Sequence, residues 1–146
     1  MTAGVKRQEV YTEVFTPRNM TWFMIKKVLP EIDLAALDIL IIENVGNLVC
    51  PVSFDLGELA KIGLVSVAEG DDKPTKYPLL FREAEVVILN KIDLTPYCDF
   101  DRGAFYSGLR EINPAIEVIE VSCRTGEGVE RWGDWLRARV SSSAGR

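Results

Sequence analysis

The stretch that decides the fold class is ILIIENVGNLVCPVSFDLGE, residues 39–58. Its apolar run at residues 40–42 predicts a buried strand that ends at the carboxylate of Glu43, and Gly46, at the third position after it, predicts a turn. Cys50 follows, next to a proline. Because ligands of α/β folds bind at the carboxyl ends of parallel strands, this acid and this glycine predict the part of a nucleotide site that faces a metal ion and a terminal phosphate.

The composition predicts one soluble domain. The chain has 146 residues, of which 47% are hydrophobic and 27% are charged, which is enough to bury a core. We expect a single domain over residues 1–146, with residues 1–8 and 141–146 disordered. The net charge of −5 argues against nucleic acid as a partner, because such binding needs a basic surface that displaces phosphate counterions.

Cysteine and histidine usage narrows the chemistry. The three cysteines, Cys50, Cys98 and Cys123, are widely spaced and form no CxxC pair, so a reducing cytoplasm is the expected location. The chain has no histidine, which excludes Ser-His-Asp and Cys-His catalysis and any His-ligated metal within one chain. The apolar runs are too short to predict a membrane span.

Strand patterns alternate with helical patterns along the chain. This alternation predicts an α/β fold with a mostly parallel sheet of about five strands flanked by helices. The predicted strands are residues 9–15, 37–43, 62–67, 86–89 and 116–121. The predicted helices are residues 22–29, a short helix or turn at 53–60, and residues 76–82, 102–111 and 129–140.

The strongest local motif is Asn90-Lys91-Ile92-Asp93, directly after an apolar strand. The carboxylate of Asp93 can accept hydrogen bonds from both the ring N1–H and the exocyclic amine of guanine, a pattern that adenine does not offer. Asn90 can reach the base edge and brace the loop, and the stem of Lys91 can lie over the ring. On its own, the motif is also compatible with an ordinary polar turn after a strand.

A second polar loop follows the next strand. It reads Ser122-Cys123-Arg124-Thr125-Gly126, and its small residues let backbone N–H groups approach a ligand. Two adjacent strands that end in these two loops predict one guanine pocket. For Cys123 itself, packing is a simpler role than reactivity.

These motifs carry a family resemblance. The segments IENVGNLVCP, FDLGE, EGDDKPTKYP, NKIDL and SCRTGEG, with a W…WL ending, resemble the hydrogenase nickel-insertion GTPases of the HypB type. The resemblance covers residues 37–136 and, more weakly, extends back to residue 9. It implies a P-loop GTPase-like core in which binding and hydrolysis of GTP drive a dimer that delivers nickel to the hydrogenase large subunit, and sometimes to urease.

The resemblance also implies roles for single residues. Glu43 and Gly46 would lie on the phosphate and Mg²⁺ side of the site. Cys50 matches a cysteine that the family uses to bind nickel or zinc at the dimer interface. The base pocket would be formed by Asn90, Lys91 and Asp93, which read guanine, and by Ser122 and Cys123, which close the pocket.

The sequence departs from the family pattern in two places. No G-x-x-x-x-G-K-[ST] motif occurs in the 146 residues, so the phosphate cradle and its strand are not expected in this chain. The Cys-His pair of the family falls near Arg18-Asn19, which leaves Cys50 as the remaining expected ligand. We therefore expect weak GTP binding and almost no hydrolysis by the chain alone.

Two functional hypotheses follow. The first is a GTP-binding nickel metallochaperone that acts with hydrogenase maturation proteins. The second is a truncated or degenerate, non-catalytic interaction module, or a fragment of a longer product. Unpaired strand edges favour association, either as a homo-oligomer or with a full-length relative. The acidic loop of Glu69, Asp71 and Asp72 would be a solvated loop or, by resemblance, would serve dimer contacts or switching.

Overall fold

The computed structural model describes residues 22–43 and 57–143. The chain divides into two compact units, Met1–Gly57 and Glu58–Arg146. The predicted strand at residues 9–15, the predicted disorder at residues 1–8 and the first half of the predicted helix or turn at 53–60 lie outside the described residues. None of the described helices has the length and apolar character needed to cross a membrane.

The first unit begins, in its described part, with helix α1, Trp22–Val28. A 3₁₀ helix, Leu29–Glu31, follows it and contains Pro30. Two lysines in the last turn of α1 interact favourably with the negative end of the helix dipole. A second 3₁₀ helix, Leu34–Ala36, leads into an extended segment.

The prediction of a strand at residues 37–43 is wrong. These residues form no hydrogen-bonded ladder, and Ile39 and Ile41 are 40% and 67% exposed. An apolar sequence becomes a strand only when another strand supplies the hydrogen-bond partners of its backbone. The other described residues of this unit, 22–36, are mostly helical and offer no such edge.

The second unit is an α/β layer structure, which confirms the predicted fold class. Its sheet has the order β1-β2-β3, and both pairings are parallel. The described residues thus contain three of the five predicted strands. The strands are β1, Ile62–Ser66; β2, Val86–Asn90; and β3, Glu117–Glu120. The helices are α2, Lys73–Lys76; α3, Pro78–Glu83; α4, Arg102–Ile112; and α5, Val129–Ser143.

Three boundaries differ from the predicted ones for local reasons. The helix predicted at residues 76–82 is split into α2 and α3 at Tyr77, because the residue before a proline is pushed out of the helical region. Helix α5 extends to Ser143 and so includes the start of the tail that was predicted to be disordered. Residues 57–60, the second half of the predicted helix or turn at 53–60, are not helical.

The central strand β2 separates two apolar clusters. Successive side chains of a strand point to opposite faces of the sheet, and Val87 and Leu89 accordingly belong to one cluster, while Val86 and Ile88 belong to the other. The first cluster includes Phe81 of α3 and Phe105 of α4, both fully buried. The second is covered by Trp132 and Trp135 of α5, whose rings stack with centroids 5.4 Å apart.

A polar link joins α4 to β3. The hydroxyl of Tyr106 donates a hydrogen bond of 2.8 Å to Glu120 Oε1, and Arg102 Nη1 lies 3.0 Å from Glu120 Oε2. Burial of the phenol, together with this hydrogen bond to a carboxylate, raises the pKa of Tyr106 to about 12. The neutral phenol is therefore the form that the folded protein favours.

The loop after β3 turns back against the strand at Gly128. This residue has φ +72°, and a Cβ there would lie 1.9 Å from the carbonyl oxygen of Glu120. Gly126 has φ +84°, and a Cβ added there would meet no heavy atom within 4 Å. The two glycines therefore share the left-handed conformation but differ in their surroundings.

We expect Gly128→Ala to lower the free energy of unfolding by about 3 kcal/mol or more, because the backbone of β3 or of the loop must move. Gly126→Ala is the matched control and should cost only about 1 kcal/mol, the penalty of a left-handed alanine. Urea unfolding followed by far-ultraviolet circular dichroism measures both. Equal losses for the two variants would contradict the close approach at Gly128.

We expect Tyr106 to give an ionisation step at about pH 12 in an alkaline titration of phenolate absorbance. Its folded-state pKa is raised from 10.0 to about 12, so its stabilising contribution is present below pH 10 and is lost as the pH rises towards about 12. Tyr106→Phe should remove this step. Tyr97→Phe, at a side chain that is 85% exposed, should leave that step in place.

Candidate functional site

Strands β2 and β3 run parallel with Val86 opposite Glu117 and Leu89 opposite Glu120. This register brings the carboxyl ends of both strands to the same edge of the sheet. Backbone hydrogen bonds then continue past the strands: Val121 N–H donates to Leu89 O at 2.8 Å, and Ile92 N–H donates to Val121 O at 3.2 Å. The two loops that were predicted to share a pocket are therefore held side by side.

The first loop is formed by the end of β2 and a 3₁₀ helix, Ile92–Tyr97. Lys91 between them has φ 59° and ψ 37°, the left-handed conformation, at an exposed position. Its N–H donates a hydrogen bond of 2.7 Å to Oδ1 of the preceding Asn90, which is the bracing role expected of that amide. The turn places Asp93 in the first turn of the 3₁₀ helix, and its side chain is only 15% exposed.

The second loop begins at Ser122, which is fully buried. The Ser122 hydroxyl donates a hydrogen bond of 2.6 Å to Asp93 Oδ1 and accepts one of 3.2 Å from the Thr125 N–H. The loop closes on itself, since Gly126 N–H donates to Ser122 O at 2.8 Å and Ser122 N–H donates to Glu127 O at 2.9 Å. One buried hydroxyl therefore ties the carboxylate of the first loop to the backbone of the second.

Charged side chains at this edge include Asp93 and two exposed cations, Lys91 and Arg124. Arg124 Nη1 lies 4.0 Å from Asp93 Oδ2, and its side chain is 82% exposed. Because the guanidinium is solvent-exposed and stands 4.0 Å from the carboxylate, this ion pair contributes little to stability. Arg124 was not among the predicted site residues. Its positive charge and its position two residues after Ser122 were the features of the sequence that could have indicated it.

Of the remaining predicted site residues, one lies in the second loop and the others do not. Cys123 is exposed in the second loop, next to Ser122, so the packing role considered for its side chain is not observed. Glu43 is exposed at the end of the described part of the first unit, whereas Gly46 and Cys50 lie outside the described residues. Within residues 22–43 and 57–143, no three metal-binding side chains come together.

A surface cleft of about 480 Å³ lies along α4. Its lining contains none of the predicted site residues. The cleft is therefore separate from the two loops that meet at Asp93 and Ser122.

Comparison with known proteins identifies the family. The family model of the CobW/HypB/UreG nucleotide-binding domain matches residues 16–120. The hydrogenase maturation factor HypB of Escherichia coli is 50% identical over 116 residues, which are 80% of this chain and 40% of that protein. The chain thus spans about 40% of the length of curated relatives such as the Escherichia coli and Azotobacter vinelandii proteins.

Solved structures agree with the sequence match. The hydrogenase maturation factor HypB of Archaeoglobus fulgidus superposes with a TM-score of 0.79 at 39% identity, over 88% of this chain and 68% of that chain. HypB of Helicobacter pylori, solved in complex with nickel, gives a TM-score of 0.80 at 33% identity, over 86% of this chain and 60% of that chain. The resemblance drawn from the motifs is confirmed: this chain belongs to the CobW/HypB/UreG family of nucleotide-binding domains, and within it to the HypB type.

Proposed function

We propose that this chain binds a guanine nucleotide at the carboxyl edge of β2 and β3, as part of a hydrogenase maturation factor that assists nickel insertion into the hydrogenase large subunit. The observation that carries the proposal is the 2.6 Å hydrogen bond from Ser122 to Asp93, which orients a largely buried carboxylate between two loops. The relatives are named as hydrogenase maturation factors, which supports a role in hydrogenase maturation. The Helicobacter pylori protein was solved in complex with nickel, which supports nickel as the metal that is delivered.

Asp93 would select the base. Each carboxylate oxygen has two lone pairs, so Oδ1 can keep its bond from Ser122 while the carboxylate accepts the ring N1–H and the exocyclic amine of guanine. Asn90 uses its Oδ1 on the Lys91 N–H, which leaves its NH₂ group to donate to the acceptors on the opposite edge of the base. The stem of Lys91 would cover the ring, and Cys123 would close the pocket beside Ser122.

The phosphate side of the site has less support. By family resemblance, Glu43 and Gly46 would face the phosphates and Mg²⁺. The described residues bring no three metal-binding side chains together, and a Mg²⁺ ion held by one or two carboxylates would take its other ligands from phosphates and water. The 146 residues also contain no G-x-x-x-x-G-K-[ST]. Because phosphate contacts and the metal normally carry phosphoryl transfer, we propose that GTP binding by the chain alone is weak and that its hydrolysis is negligible.

The proposed partners follow from the proposed role in hydrogenase maturation. They are hydrogenase maturation proteins and the hydrogenase large subunit, met in the cytoplasm. The chain would associate as a homo-oligomer or pair with a full-length relative, and only the second arrangement would add the G-x-x-x-x-G-K-[ST] motif that the 146 residues lack. A non-catalytic interaction module is the alternative, and nucleotide binding separates the two, because that alternative requires no base selectivity.

We expect Asp93→Asn to change base preference from guanine to xanthine. The asparagine oxygen can still accept from Ser122, but its NH₂ would face the amine of guanine, whereas xanthine offers an oxygen there. The variant should prefer XDP over GDP by about tenfold or more, because the hydrogen bond from the guanine amine to the charged carboxylate is replaced by two donors that face each other. Titration of the ¹⁵N-labelled chain with millimolar GDP, XDP and ADP measures all three affinities.

Asp99→Asn is the matched control for this exchange. Asp99 is an exposed carboxylate in the connection between the 3₁₀ helix and α4, so the same loss of charge there should leave the GDP preference unchanged. A wild-type chain that binds ADP as well as GDP would argue for the interaction module instead of a guanine site.

We propose further that Cys50 supplies a thiolate ligand to nickel or zinc. With no histidine in the chain, we expect weak binding of Ni²⁺ that Cys50→Ala abolishes, as seen by isothermal titration and by thiolate charge-transfer absorbance. Cys123→Ala removes an exposed thiol and serves as the control that keeps the signal. Stoichiometric Ni²⁺ binding that survives Cys50→Ala would refute the assignment.

A further inference from the structure

The acidic loop after β1 reaches across to the start of α4. Asp71 Oδ2 accepts a hydrogen bond of 2.8 Å from the Asp101 N–H, thirty positions further along the chain. Asp101 is itself the N-cap of α4, since its Oδ1 accepts the Ala104 N–H at 3.0 Å. Asp71 thus holds the residue at which the chain enters α4 after leaving the base loop, the first loop of the site at residues 90–93.

The neighbours of Asp71 do not share this long-range contact. Asp72 forms an ion pair of 2.5 Å with Lys76, one helical turn away. Lys73 lies over the ring of Tyr77 at 5.8 Å. These side chains interact within their own segment, so the hydrogen bond described between this loop and α4 belongs to Asp71.

The loop that carries Asp71 is fixed at both ends. Before it, Val67 is 1% exposed and lies in the same apolar cluster as Ile92 and Phe100. After it, Pro74 is buried against Gly108 of α4, where an added Cβ would lie 3.3 Å from the proline ring. Because the loop is held on both sides, the carboxylate of Asp71 has a fixed position from which to accept the hydrogen bond of the Asp101 N–H.

The segment that Asp71 attaches begins at the base loop. It runs from Asp93 through the 3₁₀ helix to Asp101. At its start, the Ile92 N–H is bound to Val121 O at 3.2 Å, and at its end, the Asp101 N–H is bound to Asp71. The two anchors, together with the burial of Ile92 and Phe100 in the apolar cluster, hold the 3₁₀ helix, and with it the carboxylate of Asp93, relative to Ser122.

From this arrangement we infer that Asp71 is a positioning residue for guanine selection: it holds the 93–101 segment so that Asp93 can accept both N–H groups of the base. The inference rests on the proposed guanine site and adds a residue outside both loops. Bidentate hydrogen bonding requires closer alignment than a single hydrogen bond. Loss of Asp71 should therefore weaken the contact to the exocyclic amine more than the contact to the ring N1–H.

The test compares GDP with IDP, whose base lacks the exocyclic amine, by titration of the full 146-residue chain. The wild-type chain should prefer GDP over IDP by about tenfold, as expected for one hydrogen bond to a carboxylate. Asp71→Ala should reduce this ratio to about two, mostly through weaker GDP binding. Asp71→Asn retains an acceptor oxygen for the Asp101 N–H and should restore most of the ratio.

Asp72→Ala is the matched control. It removes a neighbouring carboxylate and its ion pair with Lys76 but should leave the GDP to IDP ratio unchanged. Amide hydrogen exchange of residues 93–101 gives an independent reading, since Asp71→Ala should speed exchange there and Asp72→Ala should not.

A wild-type preference for GDP that Asp71→Ala leaves intact would overturn the positioning role while the guanine site stands. A wild-type chain without any preference for GDP over IDP would overturn the guanine site and this inference together. A loss of ratio in Asp72→Ala equal to that in Asp71→Ala would show a general effect of loop charge and would also overturn the assignment.

Discussion

The parallel ladder on both sides of β2 is the constraint on which the second unit depends. Val86, Val87 and Leu89 of this strand are fully buried, so β2 cannot slip by one residue without moving a whole set of apolar side chains to the opposite face. Helices α3 and α4 pack on one face and the tryptophans of α5 cover the other. Because the strands are parallel, their carboxyl ends lie together, and the polar loops that follow β2 and β3 meet at one edge.

The buried polar groups at that edge are tolerated because each has a hydrogen-bond partner. Ser122 is fully buried, and a buried hydroxyl without a partner would cost about 1–3 kcal/mol. Its hydroxyl donates to Asp93 and accepts from Thr125, and no described buried side-chain polar atom lacks a partner. The acidic loop after β1 is joined to the segment that follows the base loop by the apolar cluster and by the hydrogen bond to Asp71. The loops after β1, β2 and β3 are therefore all connected to one another.

The sequence predicted the second unit well because its signals are local. Apolar runs of strand length followed by polar loops marked β1, β2 and β3. Residues 37–43 carry the same kind of apolar run, yet they form no strand. The run specifies only that the segment favours an extended, buried environment; a ladder also requires a partner edge, which no pattern within one short segment can supply.

The sequence by itself determined the α/β class, the two polar loops and the family to which the chain belongs. The tertiary structure decided that Ser122 meets Asp93 across 29 positions and that Asp71, rather than Asp72, holds Asp101 across 30. Side-chain periodicity and turn residues act over a few positions and can be recognised directly. Contacts between distant residues depend on strand order, on register and on backbone turns such as the one at Gly70, with φ +91°, and these are fixed only when the core packs.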